Sequence, residues 1–267
     1  MKLRDWAFLG NYEFFTSRVR QLALDELEPE RWSCSGKNDF GVLKNYLYFT
    51  FEKLWHDREE AADEDKQTLI YIDGDVACFN TGLFDRNWQE IYFYCEKNPN
   101  ENKQPWKFIS FCNSYTMQYR PISHEACSRL RRANYFEDPS LLLFDSRLEI
   151  VPQWNHIIHD PENFRRIPSS LREGGESLCM SVIDGEIRKV RKRIQANYKT
   201  VVPQYYKGRI QLLMPLYLTN PNTADLALVL SLSDDRSVYY GHTCLTIDMA
   251  YNNARLIARP DSYWLHV

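Results

Sequence analysis

The chain has 267 residues, 44% of them hydrophobic and 14% aromatic, with a formal net charge of −3. That is enough apolar material for a sizeable core, as one large domain or two closely packed ones, and too little positive charge for a surface coated all over with nucleic acid. No apolar run reaches the roughly 18–20 residues of a membrane span; the charged start MKLRDWAFLGNYEFF argues against a secretory signal, and the seven cysteines are scattered without a C-x-x-C pair, so buried thiols in a cytoplasmic protein are expected.

Apolar residues recur at helical spacing over residues 11–27 and 43–55, where Leu43, Leu47, Phe51 and Leu54 share one side, which predicts two N-terminal helices. The acidic run DREEAADED at 57–65 reads as a connection or a solvated helix end. Strand patterns follow. TLIYIDGDVACFNTGLFD reads as two extended runs joined at Asp73-Gly74, a dipeptide suited to a tight hairpin turn, and QEIYFYCEK and WKFISFC supply two more. SHEACSRLRRA predicts a helix capped by Ser123 with Glu125 in its first turn, and SLLLFDSRLEIV returns to extended structure.

PENFRRIPSSLREGGES, residues 161–177, is rich in Pro, Gly, Ser and charge, and is the best place for an internal boundary or a mobile loop. Beyond it, Ile183, Ile187, Val190 and Ile194 predict a helix with a core-facing stripe. RIQLLMPLYL, ADLALVLSL and VYYGHTCLTID then read as strands before a closing helix. The expected fold class is α+β, an antiparallel or mixed sheet flanked by two N-terminal helices and a C-terminal one. No internal repeat is visible.

Three constellations could carry chemistry. Arg188, Lys189, Arg191, Lys192 and Arg193 project from the predicted basic helix, and Lys199 follows beside Tyr198, Tyr205 and Tyr206; clustered cations near rings suit a phosphate backbone with stacked bases. The bland alternative is a solvated face, with Asp184 and Glu186 complementing the helix dipole at its N-terminal end. In the following strand Arg209 and Gln211 share a face, joined by Lys207 if the strand begins early, and could grip a phosphate and a base edge; an ion pair with Asp225 or Asp248 would leave them structural. On the closing helix Asp248, Asn252, Arg255 and Arg259 recur at spacings of four, three and four, opposite Ala250, Ala254 and Ile257, so they form either a hydrogen-bonded seam or a site, with Asp248 the expected N-cap. Asn80-Thr81-Gly82 ends an apolar strand and reads as a tight turn or a ligand-contacting loop. His156-x-x-His159-Asp160 has ligand-like spacing but no third residue fixed in sequence relation to it, Asp73-Gly74-Asp75 could be a two-carboxylate magnesium site but is explained by a turn, and the common nucleotide-loop and hydrolase motifs are absent.

The blocks LKNYLYFTFEKL, ACFNTGLFDRNWQEIYFYCEKN, RANYFEDPSLLLFD, NYKTVVPQYYKGRIQLLMPLYL and TCLTIDMAYNNARLIARPDSYWL resemble domain-of-unknown-function family 3825 over nearly the whole chain. The resemblance implies a single family unit over residues 1–267. It implies an RNA-related context, since relatives are sometimes fused to small RNA-binding modules, and it draws attention to Asn80, Thr81, Lys207, Arg209, Gln211, Asn252, Asn253, Arg255 and Arg259 as ligand-binding candidates. The basic helix falls between the strongest blocks.

The resulting expectation is binding, and in extension processing, of RNA or a phosphorylated nucleotide. No catalytic residue, cofactor or metal is assigned, no membrane partner is expected, and a protein partner or homo-oligomer stays open. The alternatives are a structural or protein-interaction module without catalytic activity, and a nucleotide-sensing enzyme in a stress or phage-defence pathway.

Overall fold

The computed structural model describes residues 1–37, 39–261 and 263–265. The chain divides into two compact units, Met1–Asn134 and Tyr135–Val267. The division falls between Asn134 and Tyr135 and not within residues 161–177. That Pro- and Gly-rich stretch instead folds as two short helices inside the second unit, because Asp160 caps the first of them with its carboxylate and Pro161 and Pro168 stand where helices start.

The first unit begins with α1 (Leu3–Trp6), β1 (Ala7–Phe8), α2 (Tyr12–Gln21) and α3 (Gly41–Glu60). A π-helical turn over Leu22–Glu26 extends α2, so the predicted helix over 11–27 is one continuous helical segment. Next come α4 (Asp63–Leu69), β2 (Tyr71–Asp73), β3 (Val76–Phe84), β4 (Glu90–Lys97), β5 (Trp106–Asn113), α5 (Ser114–Met117) and α6 (His124–Ser128). The sheet runs in the order β1-β5-β4-β3-β2, with β1 parallel to β5 and the other pairs antiparallel.

Both faces of this sheet are covered, which is why VACFNT is buried at every position and does not alternate. One face carries Phe79, Phe93 and Phe108, in a row of ring contacts with Phe51 of α3 at centroid separations of 5.4, 4.9 and 4.4 Å. By area, burial of each ring is worth on the order of 4–6 kcal/mol before the entropy of ordering it. The opposite face packs Cys78, Tyr92, Tyr94 and Cys112 beneath Met117, Cys127 and Leu130 of the segment that follows β5.

The second unit contains β6 (Glu149–Pro152), α7 (Trp154–Ile157), α8 (Pro161–Phe164), α9 (Ser169–Arg172), α10 (Glu176–Ala196), β7 (Val202–Tyr206), β8 (Arg209–Leu216), β9 (Leu226–Leu232), β10 (Val238–Thr246) and α11 (Ile247–Ala254). Its sheet runs β6-β10-β9-β8-β7, with β6 parallel to β10 and an antiparallel meander from β7 to β10. Among the described residues this is the strand order of the first unit, reproduced without any repeat visible in the sequence. The expected α+β class holds for both units.

The isoleucine stripe of α10 is buried as expected, at Ile183, Ile187, Val190 and Ile194. The helix starts seven residues before Ile183, so Asp184 and Glu186 lie in its middle and not at its N-terminal end. Asp184 pairs with Arg188 one turn on. Glu186 falls on the core face and is only 3% exposed, with Oε2 3.2 Å from Lys189 Nζ.

Candidate functional site

Asn80, Thr81 and Gly82 form neither a hairpin turn nor a ligand loop: they are a bulge within β3, where the pairing register with β4 shifts between Asn80 and Phe84. Gly82 sits at φ +75, and a Cβ there would lie 2.8 Å from the Tyr46 hydroxyl, so glycine is required. Asn80 and Thr81 are fully buried, and their polar atoms hold the fold. Asn80 Nδ2 donates to the Leu130 carbonyl at 3.2 Å and its Oδ1 accepts from the Gly82 N–H at 2.9 Å, while Thr81 Oγ1 donates to the Ile91 carbonyl at 2.6 Å.

In the second unit the hairpin between β7 and β8 turns at Lys207-Gly208, both at positive φ, +47 and +83. Lys207 is therefore a turn residue and does not share the strand face of Arg209. Arg209 is exposed and pairs with Asp234 at 3.3 Å, not with Asp225 or Asp248. The Asp225 carboxylate instead accepts the backbone N–H groups of Leu218 and Thr219, closing the turn before β9.

Gln211 stands opposite Gln204 in the register of β7 and β8. These side chains form a row with Ser231 of β9: Asn253 Nδ2 donates to Gln204 Oε1 at 3.1 Å, Gln204 Nε2 to Gln211 Oε1 at 2.9 Å, and Gln211 Nε2 to Ser231 Oγ at 2.8 Å. Gln204 is buried, so this relay is satisfied inside the protein and docks α11 on the sheet.

The closing helix is capped by Thr246, whose hydroxyl accepts from the Met249 N–H; Asp248 is in the first turn and is not the cap. Threonine takes that place because it is the last residue of β10 in extended backbone, the conformation an N-cap needs. The helix ends at Ala254 with Arg255 as its C-cap, so Arg259 lies beyond it and leaves the stripe formed by Asp248 and Asn252. Asn252 and Arg255 are half-buried on and just past α11.

The chain past α11 builds a cavity of about 290 Å³ with the turn that precedes β7. Leu142, Val201, Val202, Pro203, Ala254 and Ile257 form its apolar walls, and Tyr198, Lys199, Arg259 and Asp261 bring a ring and charge to it. Tyr198 is 66% exposed, Arg259 is exposed, and Lys199 Nζ lies 3.4 Å from the Asp261 carboxylate. The turn is held from behind by Trp264 Nε1, which donates to the Thr200 carbonyl at 2.6 Å. Of the residues singled out in the sequence, Lys199 and Arg259 come together here. Ile257, read from spacing as part of the apolar stripe of the closing helix, lines the same cavity together with Val201, Val202 and Pro203. The walls come from the start of β7, the end of α11 and the connecting turns, so no single periodic pattern spans them.

Most of the basic helix is tied down within its own unit. Arg188 and Lys189 pair with Asp184 and Glu186, Arg191 donates to the Ser146 and Leu148 carbonyls at 3.1 and 3.0 Å, and Arg193 lies 4.2 Å over the Tyr217 ring while donating to the Pro221 carbonyl. Lys192 is exposed.

Burial pushes the Cys78 thiol well up from its ordinary value, with neighbouring Cys127 and Cys112 adding to the effect, and pushes Cys244 up to about 12. Such thiols stay protonated and are poor nucleophiles. Among the described residues no group of three or more His, Cys, Asp or Glu is placed to hold a metal ion: His159 faces Asn155 and Glu176, and Asp73-Gly74-Asp75 is the β2–β3 turn with Gly74 at φ +53. No helix among them is long and apolar enough to cross a membrane.

No curated protein and no solved structure matches the chain. The family described as Domain of unknown function (DUF3825) matches residues 24–264. That span covers most of both units, and the chain belongs to this family.

Proposed function

We propose that the second unit binds a phosphorylated nucleotide, free or at the end of an RNA chain, in the cavity between the turn at Tyr198–Thr200 and the chain past α11. The observation that carries this reading is the convergence of Lys199 and Arg259, sixty residues apart in sequence, at one apolar cavity of about 290 Å³. The volume is close to the roughly 300 Å³ at the lower end of small-molecule sites. Apolar walls and the Tyr198 ring suit a base, and the two cations suit its phosphate. The Lys199–Asp261 pair gives way to a phosphate that carries more charge than a single carboxylate.

Titration calorimetry with nucleotides and filter binding of a short single-stranded RNA test the reading. With two phosphates neutralised, RNA affinity should fall about sevenfold between roughly 50 and 200 mM salt. The double variant K199A/R259A should abolish RNA binding and nucleotide binding at this cavity without unfolding the protein. A protein that retains neither nucleotide nor RNA at low salt defeats the proposal.

The amide relay and the backbone hydrogen bonds of Arg191 favour a second reading, a structural or protein-interaction module. It shares the forecast of an unchanged melt for K199A/R259A and differs in the wild type, which would have no nucleotide or RNA to lose.

A further inference from the structure

We infer that the first unit carries a ligand site of its own, for an aromatic anion the size of a nucleoside monophosphate, in a cavity bounded by β1, the start of α2, α3 and the loop before β5. The cavity measures about 330 Å³, again at the lower end of the range for small-molecule sites. It is too small for an extended oligonucleotide.

Rings and cations alternate around it. The Arg4 guanidinium donates from Nε and Nη2 to the Tyr48 hydroxyl at 3.2 and 3.0 Å, and Gln104 Nε2 anchors the Arg4 carbonyl at 2.9 Å, so this wall is braced before a ligand arrives. The Lys44 ammonium stands 4.8 Å from the centre of the Tyr12 ring, and Lys103 stands 4.4 Å from the Phe8 ring that lines the cavity from β1. A planar group can stack on these rings while the cations meet its charge, which is the pairing an aromatic anion requires. Among the described residues no Asp or Glu lines this cavity, whereas Asp261 lines the one in the second unit, so an anion entering here meets no opposing carboxylate from them. Tyr12 is 73% exposed and packs little of the core, which leaves its ring available.

Arg4, Phe8 and Tyr12 precede residue 24, where the family match begins, while Lys44, Tyr48 and Gln104 lie within it. The site therefore joins residues of the family stretch to a segment ahead of it. It does not depend on the cavity of the second unit.

Titration calorimetry of the full chain with AMP, GMP, CMP and UMP tests the inference, with adenosine and ribose 5-phosphate as probes that carry only the ring or only the anion. At least one monophosphate should bind to K199A/R259A, which removes the cations of the second unit. Tyr12→Ala and Lys44→Met, introduced into that background, should each weaken binding at least about fivefold, while the melting temperature moves by less than about 2 °C. Adenosine and ribose 5-phosphate should bind more weakly than the best monophosphate. The inference is overturned if no monophosphate binds K199A/R259A, if Tyr12→Ala and Lys44→Met leave the affinity unchanged, or if adenosine alone binds as tightly. Binding by the wild type that disappears in K199A/R259A would leave the proposed function standing and remove this one.

Discussion

The two units share a strand order, a first strand parallel to the fifth and a meander between, yet they solve one problem with different side chains. Each places a polar residue on the second strand of its meander, Asn80 on β3 and Gln211 on β8. In the first unit Asn80 reaches directly to the backbone after the last strand, at Leu130; in the second, Gln211 reaches α11 through Gln204 and Asn253. Both pins fasten the segment that follows the fifth strand onto the sheet. A polar side chain inside a covered sheet is claimed by the fold, since leaving it unpaired costs about 1–3 kcal/mol. In the second unit the cations at the cavity, Lys199 and Arg259, are instead found where the backbone turns.

Substitutions can break that comparison, and the largest effect should come from Asn80→Ala. It leaves the buried Leu130 carbonyl and the half-buried Gly82 N–H without their partner and should cost about 2–4 kcal/mol in urea unfolding. Gln204→Ala removes the middle of the amide relay and should cost about 1–3 kcal/mol, less because Gln211 and Asn253 are half-buried and reach water. If Gln204→Ala were the more damaging of the two, the second pin and not the first would be the dominant one.

Acid titration sharpens the contrast between the units with effects of opposite sign. Burial, aided by Asp25 and Asp85, raises the Glu26 carboxyl above its ordinary value. The fold thus prefers Glu26 protonated, and the stability linked to this group grows as pH falls and is lost as pH rises through the raised value. Glu26→Gln should stabilise the protein at neutral pH by less than about 0.5 kcal/mol, since the group is partly solvated, with the gain vanishing in acid. Asp145 behaves oppositely: hydrogen bonds from the side chain and backbone of Arg147 hold its carboxyl at about 2. Its contribution is present above the ordinary carboxylate range and is lost as pH falls toward that value, so Asp145→Asn should destabilise at neutral pH and cease to matter near the folded value. Urea melts across pH read both.

A further small effect should come from Lys207→Gly at the positive-φ hairpin position, a gain of a few tenths to about 1 kcal/mol. A loss there would mean that the lysine does more than occupy a turn.

Much of this architecture was legible in the sequence because it repeats. The helical spacing of Leu43, Leu47, Phe51 and Leu54, the hairpin at Asp73-Gly74 and the stripe from Ile183 to Ile194 each give a periodic or turn signal that the fold keeps. Helix ends were less legible: Thr246 and Asp248 are both good caps, and only the exit of β10 decides between them. The matching strand order of the two units left no trace in the sequence, since topology constrains burial and not identity. Candidate site residues were the least legible. Polar residues in the family blocks pointed to Asn80, Thr81 and Gln211, which hold the fold, whereas the cavity in the second unit is walled by Val201, Val202, Pro203 and Ile257, which carry no polar signal at all. Arg4 and Tyr12 carry no signal for a related reason: no short-range pattern announces their pairing with Tyr48 and Lys44.

The separation between fold pins and ligand groups is tested most directly by comparing nucleotide affinity in the second unit with unfolding free energy for K199A/R259A. Loss of that binding with stability kept within about 0.5 kcal/mol of the wild type is the expected result. Unfolding of the variant, or undiminished binding in the second unit, would contradict it.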